Sequence, residues 1–171
     1  MKAMQFEKVG QPLELVEREA PALLAHQILL SVKACGICRT DLHIIDGELS
    51  QPKLPLILGH QIVAEVKALG ADVSGFAVGQ RVGVPWLGQT CGHCKFCLSG
   101  RENLCDHALF TGYTVDGGYA SEAIVNSQYC FALPEESNYL SDTDIAPLLC
   151  AGLIGWRSLK LAGDAQRIGV Y

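Results

Sequence analysis

Four cysteines lie close together between residues 91 and 105, and they constrain the fold more than any other feature. They are Cys91, Cys94, Cys97 and Cys105, separated by two, two and seven residues. Four thiolates at such short spacings can surround one tetrahedral Zn²⁺ without help from regular secondary structure. The segment has few large apolar residues, so it cannot close by burial and needs a metal ion. We therefore predict a structural zinc lobe over residues 88–110.

Two other uses of clustered cysteines fit this segment less well. A bacterial ferredoxin run also begins with cysteines two residues apart, but its fourth cysteine follows after three residues and precedes proline. Here the gap is seven residues and the next residue is Asp106. Disulfides are disfavoured by the odd spread of eight cysteines in a chain without a signal peptide. Because a four-cysteine site has no open coordination position, we assign it to the scaffold and not to chemistry.

The overall composition indicates a globular protein and limits the classes of partner that it can bind. Of the 171 residues, 49% are hydrophobic and 18% are charged, which fits one sizeable core with a small lobe attached. The net charge of −5 and the lack of a Lys/Arg cluster argue against nucleic acid or a membrane as a partner. The longest apolar stretch, residues 145–156, is too short to span a bilayer. Abundant cysteine without an export signal predicts a reducing compartment, and we expect the cytoplasm.

Alternating apolar and polar residues predict short strands through most of the chain. The clearest are residues 28–34, 62–68, 82–84 and 119–125. Frequent Gly and Pro turns without regular intervening helices favour an antiparallel barrel or sandwich. After Pro134 the sequence pattern changes from strand-like to helical. Ser141 is expected to cap a helix, and a second helical piece over residues 153–161 ends at Gly163. Residues 167–171 are apolar and predict either a last edge strand or the first strand of another domain.

A second set of potential metal ligands is scattered and ambiguous when each member is taken alone. Cys35 and Cys38 could form half a zinc site or a redox pair. His60 lies in a glycine-flanked turn, and an isolated histidine is more often a satisfied polar residue than a ligand. Cys150 lies in an apolar stretch, where cysteine usually acts as a small hydrophobic residue. Spacing alone leaves all of these readings open.

Together, these segments resemble the zinc-dependent alcohol dehydrogenases of the medium-chain dehydrogenase/reductase superfamily. The segments that carry the resemblance are Gly36-Ile37-Cys38-Arg39-Thr40-Asp41-Leu42-His43, Gly59-His60, the four clustered cysteines, and Pro147-Leu148-Leu149-Cys150-Ala151-Gly152. The resemblance covers all 171 residues. It implies a mainly β, GroES-like, partly open antiparallel barrel with a few helices and a zinc-binding lobe. Residues 1–166 would form the catalytic domain, and residues 167–171 the first strand of an absent Rossmann domain.

The resemblance also implies a second zinc, bound at an open catalytic site. Cys38, His60 and Cys150 would hold it and leave a fourth position for water or alcohol; a Cys₂His site in alcohol dehydrogenase is a known example of this arrangement. Asp41 would fix the tautomer of His60. We thus expect two Zn²⁺ per chain.

Further roles implied by the resemblance concern the proton, the cofactor and the substrate. Thr40 would take the proton of the substrate hydroxyl and pass it through the cofactor ribose towards His43, which exchanges it with solvent. Arg39 would meet the cofactor pyrophosphate. Trp86 would form a wall of the alcohol pocket, although ordinary core packing explains a Trp equally well. The remaining candidates are taken as structural; they are His26, His93, His107, Cys35 and Cys130.

Two positions depart from the family pattern. Gln61 stands where the family usually has Glu, which removes a negative charge near the metal, so we expect a more electrophilic zinc with altered ligand exchange. Ile154 stands where many members have Thr against the nicotinamide.

The full-length enzyme is expected to transfer a hydride between an alcohol or aldehyde and NAD or NADP and to form homo-oligomers. The chain itself contains no Gly-x-Gly-x-x-Gly turn. We therefore expect it to be inactive alone and to be a monomer as a fragment. The alternatives are a non-catalytic zinc-stabilised binding module and a zinc-free quinone reductase; the latter is disfavoured because both ligand sets are present.

Overall fold

The computed structural model describes residues 1–19 and 21–169 and consists mainly of antiparallel strands. The strands are β1 (Lys2–Phe6), β2 (Glu14–Glu17), β3 (Gln27–Cys35), β4 (Leu56–Ile57), β5 (Ile62–Leu69), β6 (Arg81–Val84), β7 (Leu87–Gln89), β8 (Leu109–Phe110), β9 (Glu122–Asn126) and β10 (Phe131–Ala132). The α-helices are α1 (Arg39–Ile45), α2 (Asp142–Ile145) and α3 (Ala151–Ala162).

The strands form three sheets that stay open across the described residues. The largest has the order β10-β6-β5-β3-β9, a smaller one has the order β2-β1-β4, and β7 pairs with β8 in the cysteine-rich lobe. In the central pair, β3 and β5 run antiparallel with two register shifts, between Leu29 and Leu30 and between Val32 and Ala34. The predicted mainly β architecture with a few helices is confirmed, but the sheets stay open among the described residues and do not close into the predicted partly open barrel.

The core is built on both faces of the largest sheet. Alternate residues of β3 and β5, such as Ile28, Leu30 and Ile62, are fully buried on one face. Val63 points to the opposite face and packs against Ile145 of α2. Burying both faces of β5 explains why its sequence is nearly continuous in apolar residues.

A separate small core fixes α1. Ile44 of α1 is fully buried with Phe6, Leu56 and Leu58, which come from β1, β4 and the residue just after β4. The start of α1 is thereby held next to the loop that joins β4 to β5. Both segments carry predicted metal ligands.

The C-terminal helices lie where the sequence predicts them, although the second begins two residues earlier than predicted. Ser141 is the N-cap of α2, and its Oγ accepts a hydrogen bond from Asp144 N at 3.2 Å. A 3₁₀ turn over Ala146–Leu149 then leads to Cys150 and α3, which ends at Gly163. Residues 167–169 have no regular structure, and the last two residues of the predicted Rossmann strand lie outside the described residues.

Within the described chain, no single helix has the length and apolar composition needed to cross a membrane. Residues Asp142–Leu149 and Ala151–Ala162, which are bent by 51°, satisfy that test only as a pair and by length and composition alone.

Candidate metal centres

The four clustered cysteines converge in the lobe between β7 and β8. Their Sγ atoms all lie within 4.8 Å of one another, with Cys94 Sγ 3.5 Å from Cys97 Sγ and Cys91 Sγ 3.9 Å from Cys97 Sγ. Two short 3₁₀ turns, Cys97–Ser99 and Glu102–Leu104, fold the segment back so that Cys105 joins the other three. The lobe offers little apolar packing of its own, since Leu98 is 76% exposed.

Backbone N–H groups point at these sulfur atoms and favour their ionised forms. Cys94 N donates to Cys91 Sγ at 3.4 Å, and His107 N donates to Cys105 Sγ at 3.4 Å. Contacts led by the backbone N–H of His93 lower the pKa of Cys91 to about 6. The N–H of Cys91 also favours the Cys105 thiolate, but burial and the neighbouring sulfurs outweigh it and raise the pKa of Cys105 to about 11. Four thiolates can therefore coexist only around a cation, and a tetrahedral Zn²⁺ fits this donor set.

The second group brings together three residues that are far apart in sequence. Cys38 is the N-cap of α1, His60 lies between β4 and β5, and Cys150 lies between the 3₁₀ turn and α3. Their ligand atoms all lie within 4.8 Å of one another, and the two sulfur atoms are 3.8 Å apart. Three donors leave one position of a tetrahedral ion open, which distinguishes this group from the closed cysteine group.

Asp41 links the first two members of this group. Its Oδ2 accepts a hydrogen bond from Cys38 N at 2.7 Å, and its Oδ1 accepts one from Gly59 N at 3.2 Å. Oδ1 also lies 3.6 Å from His60 Nδ1, a buried atom with no hydrogen-bond partner among the described residues. Because Nδ1 faces the carboxylate, Nε2 is the ring nitrogen left to bind a metal.

The charges of Cys38, His60 and Cys150 also favour binding of a cation. Burial opposes ionisation of Cys38, but the backbone and hydroxyl of Thr40 and the ring of His60 outweigh it and lower the pKa of Cys38. Burial and then the charge of Cys38 raise the pKa of Cys150 to about 11. For His60, burial acts to lower the pKa, yet the hydrogen bond and charge of Asp41 raise it. A Zn²⁺ ion would satisfy both sulfurs, so the donor set fits this metal.

The other predicted site residues surround the group as follows. Thr40 Oγ1 lies 3.7 Å from Cys38 Sγ. His43, three residues further along α1, pairs through Nδ1 with Glu48. The Trp86 ring meets the His60 ring edge-on, with centroids 5.0 Å apart. Arg39, the first residue of α1, is exposed to solvent.

The Trp86 ring has aromatic neighbours as well. It stacks on Phe110 and Tyr113 with centroids 5.0 Å and 5.8 Å apart, which extends one apolar wall away from His60. Sequence reasoning did not identify Phe110 or Tyr113, because neither belongs to a ligand motif.

The two departures from the family pattern lie in different surroundings. Gln61 directly follows His60 and is 4% exposed. The Oε1 atom of Gln61 packs against Gly36, where a Cβ atom added to the glycine would lie 2.5 Å from that oxygen. Ile154 is one turn into α3, donates its N–H to Cys150 O at 3.1 Å, and has a side chain that is 65% exposed.

The remaining histidines and cysteines stay outside both ligand groups of the described structure. Burial raises the pKa of Cys35 and of Cys130 to about 12, so both remain thiols. His93 Nδ1 lies 2.7 Å from Cys91 O, whereas His26 and His107 are exposed.

A mainly β domain with one closed four-cysteine group and one open Cys-His-Cys group defines the class of protein. Residues 24–135 match the family described as the alcohol dehydrogenase GroES-like domain, and the chain belongs to this family. It is 43% identical over 174 residues to an alcohol dehydrogenase of Geobacillus stearothermophilus, a match that covers 100% of this chain and 51% of that protein. It is 45% identical over 182 residues to a probable alcohol dehydrogenase of Mycobacterium tuberculosis, covering 100% and 52% of the two chains.

Solved structures show the same fold. A cinnamyl alcohol dehydrogenase of Sorghum bicolor superposes with a TM-score of 0.84 at 28% identity, covering 94% of this chain and 47% of that chain. A cobalt- and zinc-bound thermostable alcohol dehydrogenase of Pyrobaculum aerophilum gives a TM-score of 0.84 at 28% identity, covering 95% and 49%. The chain therefore spans about half the length of the relatives it matches.

Proposed function

We propose that this chain is the zinc-binding catalytic part of an NAD- or NADP-dependent alcohol dehydrogenase, acting on an alcohol or aldehyde. One observation carries the proposal: the ligand atoms of Cys38, His60 and Cys150 lie within 4.8 Å of one another although the residues are far apart in sequence. Their three-donor set leaves room for a substrate oxygen. The names of the relatives support the same activity.

A zinc ion at this group supplies Lewis acidity, which favours the ionised form of an alcohol and so eases loss of hydride from the adjacent carbon. The chain would hold the ion with two sulfurs and the Nε2 atom of His60, while Asp41, 3.6 Å from Nδ1, would keep the proton of that ring on Nδ1. A second zinc, at the four clustered cysteines, would hold the lobe over residues 88–110 in shape. The ligand sets support two zinc ions per chain.

The proposed proton path begins at Thr40. Its hydroxyl lies 3.7 Å from the Cys38 sulfur, close enough to accept a hydrogen bond from the hydroxyl of a substrate alcohol bound beside that sulfur. His43 is three residues further along α1, on the same face of the helix, and is partly exposed, so it can exchange a proton with solvent. Arg39 is exposed beside them and is proposed to meet the cofactor pyrophosphate.

Trp86 is the proposed wall of the alcohol pocket, since its ring borders His60 and is backed by two stacked aromatic rings. We propose residues 1–166 as the catalytic domain, followed in the complete enzyme by a cofactor-binding domain. The chain without that domain is inactive, and the complete enzyme is a cytoplasmic homo-oligomer. The eight cysteines form no disulfide among the described residues, which fits the proposed reducing compartment.

The test uses the 171-residue chain loaded with Co²⁺, whose visible absorption reports its ligands. Adding trifluoroethanol, an alcohol that resists oxidation, is expected to shift the absorption of the wild-type chain and not that of a Cys38→Ala control. If trifluoroethanol leaves the absorption of the Co²⁺-loaded wild-type chain unchanged, the proposal of an alcohol-binding site is contradicted. Alcohol-dependent NADH formation by the chain alone, above the same control, contradicts its proposed inactivity.

A further inference from the structure

Tyr119 lies directly behind the loop that carries His60. The backbone N–H of Tyr119 donates to Leu58 O at 2.9 Å, and that of Gly118 donates to Gly59 O at 2.9 Å, so the two segments run side by side. An atom added at the Cβ position of Gly59 would lie 2.5 Å from the Tyr119 ring. The ring therefore packs against the residue that precedes His60.

The hydroxyl group of Tyr119 is buried. It has no hydrogen-bond partner of regular geometry among the described residues. Burial, followed by the negative charge of Asp41, raises the pKa of Tyr119, so the phenol keeps its proton and has a hydrogen to donate. The same contact with Tyr119 is among those that favour the ionised form of Asp41.

Counting donors around Asp41 explains what this hydroxyl contributes. Two backbone N–H groups, from Cys38 and Gly59, already hold one oxygen each. His60 Nδ1 approaches Oδ1 at 3.6 Å. A buried carboxylate has about four lone-pair positions, so Asp41 retains one for the Tyr119 hydroxyl, a buried donor that lacks another partner among the described residues. A carboxylate held from several sides cannot rotate away from the histidine.

We propose that Tyr119 is a positioning residue for the Cys38–His60–Cys150 zinc site, acting through Asp41 to keep the Nε2 atom of His60 directed at the metal. This inference rests on the proposed function, because it requires zinc at that group. The ring alone packs the loop, and the hydroxyl oxygen is the atom that acts on the metal site.

The experiment removes only that oxygen. Tyr119→Phe keeps the ring against Gly59, and the control is Tyr139→Phe. Tyr139 is 84% exposed and belongs to neither ligand group. Each zinc-loaded chain is titrated with a chromophoric chelator, and the four-cysteine zinc in the same molecule serves as the internal reference for folding.

We expect Tyr119→Phe to weaken binding of the zinc at His60 by about 10-fold, the lower end of the range for groups that support metal ligands. The affinity for the four-cysteine zinc and the thermal unfolding midpoint of Tyr119→Phe should match those of the Tyr139→Phe control. In an Asp41→Asn background the further loss caused by Tyr119→Phe should disappear, because the two residues act as one unit.

Three results would overturn the inference. If Tyr119→Phe binds both zinc ions as tightly as the wild type, the oxygen has no role. If the loss persists undiminished in the Asp41→Asn background, Tyr119 does not act through the carboxylate. If the wild-type chain binds only the four-cysteine zinc, the proposed function fails and this inference fails with it.

Discussion

Replacing Asp41 by Asn tests how the protein prepares His60 for a metal. The side chain keeps its shape but exchanges one acceptor oxygen for an N–H donor. If the new amide nitrogen takes the place of Oδ2, it faces Cys38 N at 2.7 Å, and two donors then oppose each other. If it takes the place of Oδ1, it faces Gly59 N and His60 Nδ1. Asp41 is 1% exposed, so water cannot repair either mismatch.

Both orientations weaken the metal site. A buried donor without a partner costs about 1–3 kcal/mol. An amide N–H facing His60 also favours the tautomer with the proton on Nε2, which removes the lone pair that would bind zinc. We expect zinc at Cys38, His60 and Cys150 to bind about 10–100-fold more weakly, equivalent to about 1.4–2.8 kcal/mol.

The assay is competition with a chelator of known zinc affinity, with Asp46→Asn as the matched control. Asp46 lies at the exposed C-terminal end of α1 and should leave both zinc ions unaffected. Unfolding monitored by circular dichroism checks that each variant is folded. An Asp41→Asn chain that binds this zinc with wild-type affinity would refute the reasoning.

Three further predictions concern stability and charge. Asp116 accepts hydrogen bonds from two cationic side chains and one backbone N–H, and although burial opposes it, contacts led by Lys53 lower its pKa. Asp116→Asn should cost about 1–2 kcal/mol in urea unfolding at pH 7, and this difference should shrink below about pH 4 as the wild-type carboxylate becomes protonated; a difference independent of pH contradicts the assignment. Gly59 has φ +95° and no room for Cβ, so Gly59→Ala should cost about 3 kcal/mol or more, and a loss under about 1 kcal/mol would be incompatible with this packing. Gln61→Glu adds a buried negative charge next in sequence to His60 and should slow release to a chelator of a zinc ion held by His60, while zinc remains bound; unchanged release and unchanged activity in the full-length enzyme argue against an electrostatic role.

Local sequence pattern predicted those parts of the structure that depend on local rules. The four clustered cysteines lie within 15 residues of one another, so their spacing alone limits how they can converge. The alternation around Ile28 and Ile62 predicted the central strands, and the hydroxyl of Ser141 predicted the start of α2. These features require no knowledge of distant contacts.

Other features depend on contacts that no local pattern encodes. Cys38, His60 and Cys150 came from a family resemblance, because 112 residues separate the two cysteines. Tyr119 escaped notice because a tyrosine inside a strand-like segment is an ordinary packing residue, and β9 in fact begins three residues later. Its significance arises only when the paired loops bring it next to Gly59.

The apolar pattern of α3 shows a further limit. Its extent was predicted closely, and the helix covers Ala151–Ala162. Apolar residues at helical spacing usually indicate a buried face. Here Ile154 is 65% exposed and Trp156 is 60% exposed, so the pattern identified the helix but not its surroundings in this chain.

Counting zinc in the purified chain tests the central claim most directly. Elemental analysis of the chain refolded with excess Zn²⁺ and then desalted should give two zinc ions for the wild type, one for Cys150→Ser and one for Cys97→Ser. The two losses should be independent, because the groups share no ligand. One zinc in the wild type, unchanged by Cys150→Ser and lost in Cys97→Ser, would instead identify a zinc-stabilised module without a catalytic metal.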